Sequence, residues 1–239
     1  VTTPLEMQKV QISDYMLDNM FDEDERRSRS LSIWNEAADP RGTPVELYLT
    51  GPRPERRSVK LPNEAAGEAI RYHASCPFRG VRTPAMVCLI RDVRTNEPKA
   101  IHRTALSLDG RKVHLKGADR LTFGPIRGGA IKLTPDEDVT LCLGVGEGIE
   151  TTLSLRQRSE FGQSPVWSLI SASGIKALPV LPGVECLWVA VDHDKKKRGQ
   201  DAARAVGEQW QAAGREVFLV MPSEPGTDLN DLESELHYA

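Results

Sequence analysis

The chain has 239 residues, a formal net charge of −3 and an apolar fraction of 39%, enough for a buried core in one large domain or two small ones. No window approaches the roughly 18–20 continuous apolar residues of a membrane span, and the opening VTTPLEMQKVQISDYM lacks the basic-then-apolar order of a signal peptide. A soluble, cytoplasmic protein without a membrane partner is expected. Cys76, Cys88, Cys142 and Cys186 are irregularly spaced with no C-x-x-C pair, which argues against a zinc ribbon or a disulfide framework and for reduced thiols.

In chain order, residues 1–30 are charged and poorly periodic, with seven acidic against four basic side chains. They read as a loosely held arm that carries no chemistry, with one short helix around Ile12–Phe21. LSIWNEAA (31–38) and TPVELYLT (43–50) read as two short helices, the second capped by Thr43 with Pro44 in its first turn. From about Ile70 to Leu133 the pattern turns to strands: IRYHA, AMVCLIRDV, KAIHRTALS, KVHLKG and AIKLT, with RTNEP and LDGR as turn signals. These predict an antiparallel sheet. The same region is basic, with twelve Lys/Arg against four Asp/Glu between Arg79 and Lys132, which suits either phosphate binding or a solvated sheet face.

LTPDEDV (133–139) is a charged, proline-bearing connector and the expected domain boundary. Beyond it the order is strand 140–145, helix 149–160, strand 166–170, short helix 174–178, strand 187–192, helix 199–213, strand 216–221 and helix 228–235. Strands alternating with helices mean a parallel sheet covered on both faces. The expected architecture is therefore α/β, with a parallel-sheet domain over 135–239 preceded by an α+β domain over 31–134 whose sheet is mainly antiparallel.

In such parallel sheets ligands bind beyond the carboxyl ends of the strands, where the chain places its acids. LGVGEGIETTLSL sets Glu147 between two glycines after one strand, and VAVDHD ends another strand in Asp192 and Asp194. In an extended chain Asp192 and Asp194 point to one side. GTDLND adds Asp228 and Asp231 after the last strand. Such carboxylates suit Mg²⁺ or Mn²⁺, which take hard oxygen ligands together with water and phosphate. Each acid alone is equally a turn former, an N-cap or a favourable charge at a helix N-terminus. Their joint occurrence at successive strand ends favours a site.

The basic run Lys195, Lys196, Lys197 and Arg198 follows directly and reads either as an exposed loop or as a phosphate binder ahead of a helix N-terminus. GPIRGGAI (124–131) suits a hairpin loop, with a phosphate-binding turn around Arg127 as the alternative. His193 would point away from the flanking aspartates, and His73, His102 and His114 lack ligand spacing and read as satisfied structural histidines. LGVGEG fails the dinucleotide pattern because residue 149 is isoleucine.

An apolar strand into GEGIETTLSL, then a strand into VDHD followed by Gly199 and a helix, resembles the Toprim domain shared by bacterial primases, type IA and II topoisomerases and some nucleases. More narrowly, the order PAMVCLIRD, HRTALSLDG, GGAIKL, GEGIETTLSL, VWSLISASG, VAVDHD and GTDLND, over roughly residues 31–232, resembles the Toprim primase-like proteins of plasmids, prophages and mobile elements. The resemblance implies a Mg²⁺- or Mn²⁺-dependent phosphoryl-transfer site. It puts the family's glutamate on Glu147, as general acid or base or metal ligand, and the D-x-D ligands on Asp192 and Asp194, with Asp228 and Asp231 as a later acidic motif. Gly146 and Gly148 would then keep side chains away so that phosphate or metal can approach Glu147.

The chain departs from bacterial primases in having no cysteine and histidine set for a zinc module, and no G-x-x-x-x-G-K-[ST] for a helicase. Tyr15, Tyr48, Tyr72 and Tyr238 have no context that supports strand breakage as in a topoisomerase. The leading expectation is synthesis of short RNA primers from nucleoside triphosphates on single-stranded DNA, with a helicase or a zinc-binding template-recognition protein as partner. The alternatives are a Toprim nuclease and a non-catalytic accessory protein of a replication or conjugation complex. Aromatic side chains are few, with Trp34, Tyr48, Tyr72 and Phe78 the nearest candidates for base stacking, so DNA binding is expected to depend strongly on salt.

Overall fold

The computed structural model describes residues 22–51, 56–193, 196–231 and 236–238. In chain order the elements are α1 (Glu23–Glu36), α2 (Pro44–Thr50), β1 (Ile70–Phe78), β2 (Val81–Asp92), β3 (Pro98–Ala105), β4 (Arg120–Phe123) and β5 (Gly129–Lys132). After a 3₁₀ turn at Asp136–Asp138 come β6 (Cys142–Gly146), α3 (Ile149–Arg158), β7 (Val166–Ser168), α4 (Ala172–Lys176), β8 (Cys186–Ala190), α5 (Arg198–Ala212), β9 (Glu216–Pro222) and β10 (Leu236–Tyr238).

The first five strands pair antiparallel, whereas β6 runs parallel to β7 and β8, and β8 parallel to β9. The fold is thus α/β, with a parallel sheet behind a mainly antiparallel one. The two sheets are continuous. β5 pairs antiparallel with β2 on one side and with β7 on the other, giving the order β10-β9-β8-β6-β7-β5-β2-β3-β4, with β1 joined to β2.

Alternation along β2 explains its long apolar run. Ala85, Val87 and Leu89 face Trp34 of α1, while Met86, Cys88 and Ile90 face a core that includes Tyr48 of α2 and Leu153 of α3. α3 therefore packs on the same core as the antiparallel sheet. The opposite face of the parallel sheet is covered by α4 and α5, with Ala202, Ala203, Val206 and Trp210 of α5 turned inward at helical spacing. No described helix is long and apolar enough to cross a membrane.

Three local expectations give way to the structure. The charged segment before residue 31 is helical from Glu23, because the Asp22 side chain caps the Glu25 N–H at 2.8 Å and three acids follow in the first turn. A helix with only Ser30 and Trp34 buried shows no apolar period to read. The helix expected around Ile12–Phe21 lies outside the described residues. KVHLKG forms only isolated bridges, Leu106 to Lys112 and Leu115 to Ala118, and the fourth strand is instead RLTF. Of the helix expected over 228–235, the described residues 228–231 make a turn instead, in which Asp228 Oδ1 accepts from Asn230 N at 2.7 Å and Asp231 Oδ2 accepts from Asp228 N at 2.8 Å, and residues 232–235 lie outside the described residues.

Candidate active site

Parallel pairing brings the carboxyl ends of β6, β7, β8 and β9 to one edge, and the residues that follow build a cavity of about 200 Å³. Glu147 comes from the end of β6, Ile170 from β7, Asp192 from β8 and Asp228 from the turn after β9. Arg56 and Arg120 of β4 complete the lining from the first half of the chain, and Arg56 lies 3.7 Å from Asp228. A second recess of about 20 Å³, room for about one water, lies against this cavity and is lined by His102, Thr104, Arg120, Glu147 and Ser168 among others.

The two glycines around Glu147 have different tasks. A Cβ on Gly146 would meet Thr152 Oγ1 at 2.5 Å, so this glycine lets α3 lie close on β6 rather than clearing space for a ligand. Gly148 has nothing nearer than Thr151 Oγ1 at 3.7 Å and lines the cavity, as expected of a position kept open for a ligand. Gly148 also starts α3 without a side-chain cap.

Ile170 sits at φ +72°, and Ser171 N donates to Leu169 O at 2.8 Å, a γ-turn of the strained, positive-φ kind. A β-branched residue is rarely found in this conformation. The strain occurs at the cavity wall, where both recesses meet Ile170.

Charge at the seam between the two halves centres on Glu150, which is only 5% exposed. Its carboxylate accepts from the Tyr48 hydroxyl, lies 3.1 Å from Lys112 Nζ and 4.0 Å from Arg120. Burial alone would raise its pKa, but Lys112, Arg120 and the Tyr48 hydroxyl together hold it well below the ordinary carboxylate range. Lys112 also lies over the Tyr48 ring, 5.4 Å from its centroid. Asp228 behaves oppositely: burial pushes its pKa up, only partly offset by Arg56 at 3.7 Å.

Of the acids expected at the site, Glu147, Asp192 and Asp228 line the cavity. Asp231 does not, and instead closes the turn by accepting from Asp228 N. Asp194 and Lys195 lie outside the described residues. Lys196, Lys197 and Arg198 are exposed where α5 begins, and Arg127 is exposed on the β4–β5 loop, none of them on the cavity wall. His193 Nδ1 lies 3.0 Å from Pro222 O, consistent with a structural part.

His102 is not the satisfied structural histidine expected: its Nδ1 is buried without a hydrogen-bond partner among the described residues, and the ring borders the small recess. Burial, helped by Arg120, depresses its pKa to about 4. Trp34, Tyr48 and Phe78 are buried in the core, which removes them as platforms for base stacking. Arg56, Lys112 and Arg120 carry no local mark in the sequence, because they reach the seam only through the folding of distant segments, while Tyr48 reads there as a stacking candidate and Glu150 as one more polar residue of a helix.

Among the described residues no three His, Cys, Asp or Glu side chains stand close enough together to enclose a metal ion. Glu147, Asp192 and Asp228 all line the cavity. A hard-oxygen donor set of this kind fits Mg²⁺ or Mn²⁺, which keep water and take oxygens from a phosphate substrate.

Residues 142–235 match the model of the Toprim domain family, and residues 24–133 match that of a domain of unknown function, DUF7146. No curated protein sequence matches the chain. Among solved structures the chain is similar to the primase fragment of the bacteriophage T7 primase-helicase protein, with 17% identity and a TM-score of 0.46. That likeness covers 68% of this chain and 60% of that one, so the chain spans well under two thirds of its neighbour's length. It is also similar to a chain in a structure of bacteriophage T7 lagging-strand DNA polymerase interacting with primase domains bound to an RNA/DNA hybrid and dTTP, with 14% identity and a TM-score of 0.39 over 67% of this chain and 74% of that one. The family match, on a segment whose strand ends carry Glu147 and Asp192, identifies residues 142–235 as a Toprim domain.

Proposed function

We propose that the chain carries out metal-dependent phosphoryl transfer on nucleic acid, joining nucleoside triphosphates into short RNA primers on single-stranded DNA. The supporting observation is a cavity lined by Glu147, Asp192 and Asp228 together with Arg56 and Arg120. Toprim domains generally bind divalent metal ions. Glu147, Asp192 and Asp194 would hold Mg²⁺ or Mn²⁺ here, with Asp228 beside them, and the bound ion would offset charge on the transferring phosphoryl oxygens.

The chain's own groups divide the remaining work. Among the described residues the Arg120 guanidinium donates no hydrogen bond and forms an ion pair with Glu150 alone, at 4.0 Å, so its donors are available to a phosphate. Arg56 joins it in lining the cavity. Glu147 is the group placed to accept a proton from an attacking 3′-hydroxyl, since it lines both the cavity and the recess behind it. The exposed Lys196, Lys197 and Arg198, with Lys195, would hold nucleic-acid backbone outside the cavity. A zinc-binding template reader or a helicase is the partner this reading calls for.

The test is incubation of the chain with single-stranded DNA, labelled nucleoside triphosphates and Mg²⁺ or Mn²⁺, beside Glu147→Ala and Asp192→Ala. Short labelled products that vanish in both variants support primer synthesis. Metal-dependent loss of the DNA would replace it with a nuclease. DNA binding with neither activity would leave an accessory module.

A further inference from the structure

The buried carboxylate of Glu150 is not among the acids that the Toprim resemblance places in the chemistry, yet it has the densest set of charged partners at the seam. It belongs to the first turn of α3, while its partners Tyr48, Lys112 and Arg120 all come from the other half of the chain. Lys112 is committed, between the Glu150 carboxylate at 3.1 Å and the face of Tyr48. Arg120 lies 4.0 Å from the same carboxylate, the largest of the attractions on it, and among the described residues its guanidinium donates no hydrogen bond.

We infer that Glu150 is a positioning residue: it anchors Arg120 to the helix that follows Glu147, so that the guanidinium faces the cavity ready for a triphosphate oxygen. This rests on the phosphoryl-transfer reading of the same cavity. The physical reason is the cost of a stranded charge. A carboxylate this buried is costly to leave without cations, so Glu150 draws Lys112 and, more weakly, Arg120 toward α3. Lys112 and the Tyr48 hydroxyl satisfy most of the carboxylate's needs, which leaves the Arg120 contact long.

The test uses the full chain and a double-mutant cycle. Glu150→Gln keeps the shape and removes the charge; the expected result is a rise of about tenfold in KM for the triphosphate with kcat changed less than about threefold, the signature of lost binding rather than lost chemistry. Because Glu150 acts through Arg120, the same substitution in an Arg120→Gln background should add less than about twofold. Tyr48→Phe, which keeps the ring and both cations, serves if Glu150→Gln does not fold, and should raise KM by about two- to fivefold.

Equilibrium binding of a nucleoside triphosphate in Ca²⁺ is measured in parallel. If the native chain binds triphosphate but makes no primers, the functional reading fails while the inference is still judged by binding. Three results overturn the inference: a KM and affinity unmoved by these variants, an equal effect of Glu150→Gln with and without Arg120, or no triphosphate binding by the native chain.

Discussion

Val145 of β6 lies directly opposite Val189 of β8 in a parallel ladder, and this register carries Glu147 and Asp192 beyond the strand ends to one cavity. Removing either charge should abolish phosphoryl transfer by about a hundredfold or more, since both act where charge develops. Glu147→Gln and Asp192→Asn keep the side-chain shape, so both are expected to melt close to the native temperature, and a large loss would mark a structural role instead. A variant that retains activity within about threefold would remove that residue from the chemistry.

Arg120 is proposed to grip a phosphate through its fork of donors, which a lysine cannot imitate. Arg120→Lys keeps the charge beside Glu150 but should weaken triphosphate binding by about tenfold, close to the effect of Arg120→Gln. Isothermal titration in Ca²⁺ measures this directly. Native affinity in the lysine variant would mean that charge alone suffices and that Glu150 has no orientation to impose.

The basic run at the start of α5 is exposed and removed from the cavity, so its effect on DNA should be purely electrostatic. Replacing Lys196, Lys197 and Arg198 together by alanine should reduce the slope of log affinity against log salt by about 2, at roughly 0.7 per phosphate contact on single strands. Fluorescence anisotropy across a salt series reads the slope. An unchanged slope would mean that this loop does not touch the backbone.

His102 makes stability depend on pH in a definite direction. Its pKa falls from 6.5 to about 4 on folding, so below pH 6.5 the unfolded chain takes up a proton that the folded one refuses. The stabilisation is complete above pH 6.5 and is lost as pH falls through the window down to about 4. Between about pH 7.5 and pH 5 the loss should be about 2 kcal/mol. His73, also lowered by burial, acts in the same sense. Urea unfolding at both pH values should show a smaller drop for His102→Asn than for the native chain, and an equal drop in both would contradict the burial of the neutral ring.

What the sequence reveals here is whatever rests on local repetition. Alternating strands and helices after residue 140 place Glu147, Asp192 and Asp228 at strand ends with no tertiary information, since parallel strands must all finish at one edge. The cations of the lining are invisible by the same logic. Arg120 and Lys112 lie in a basic stretch where most cations serve the surface or buried pairs, as Lys132 does with Asp136, and only the pairing of β3 with β4 singles out Arg120. The helix at Glu23 escaped notice because cap and charge chemistry define it, without an apolar stripe.

The strand β5 is a shared plank. It is hydrogen-bonded to β2 on one side and to β7 on the other, so neither half of the chain owns it. A cut at the charged connector after Leu133 would give it to the first fragment and leave β7 with a bare row of amides and carbonyls, an adhesive edge prone to pairing with other copies. The halves thus read as two chemistries on one board: acids of the cavity from one, its cations from the other, joined through one four-residue strand.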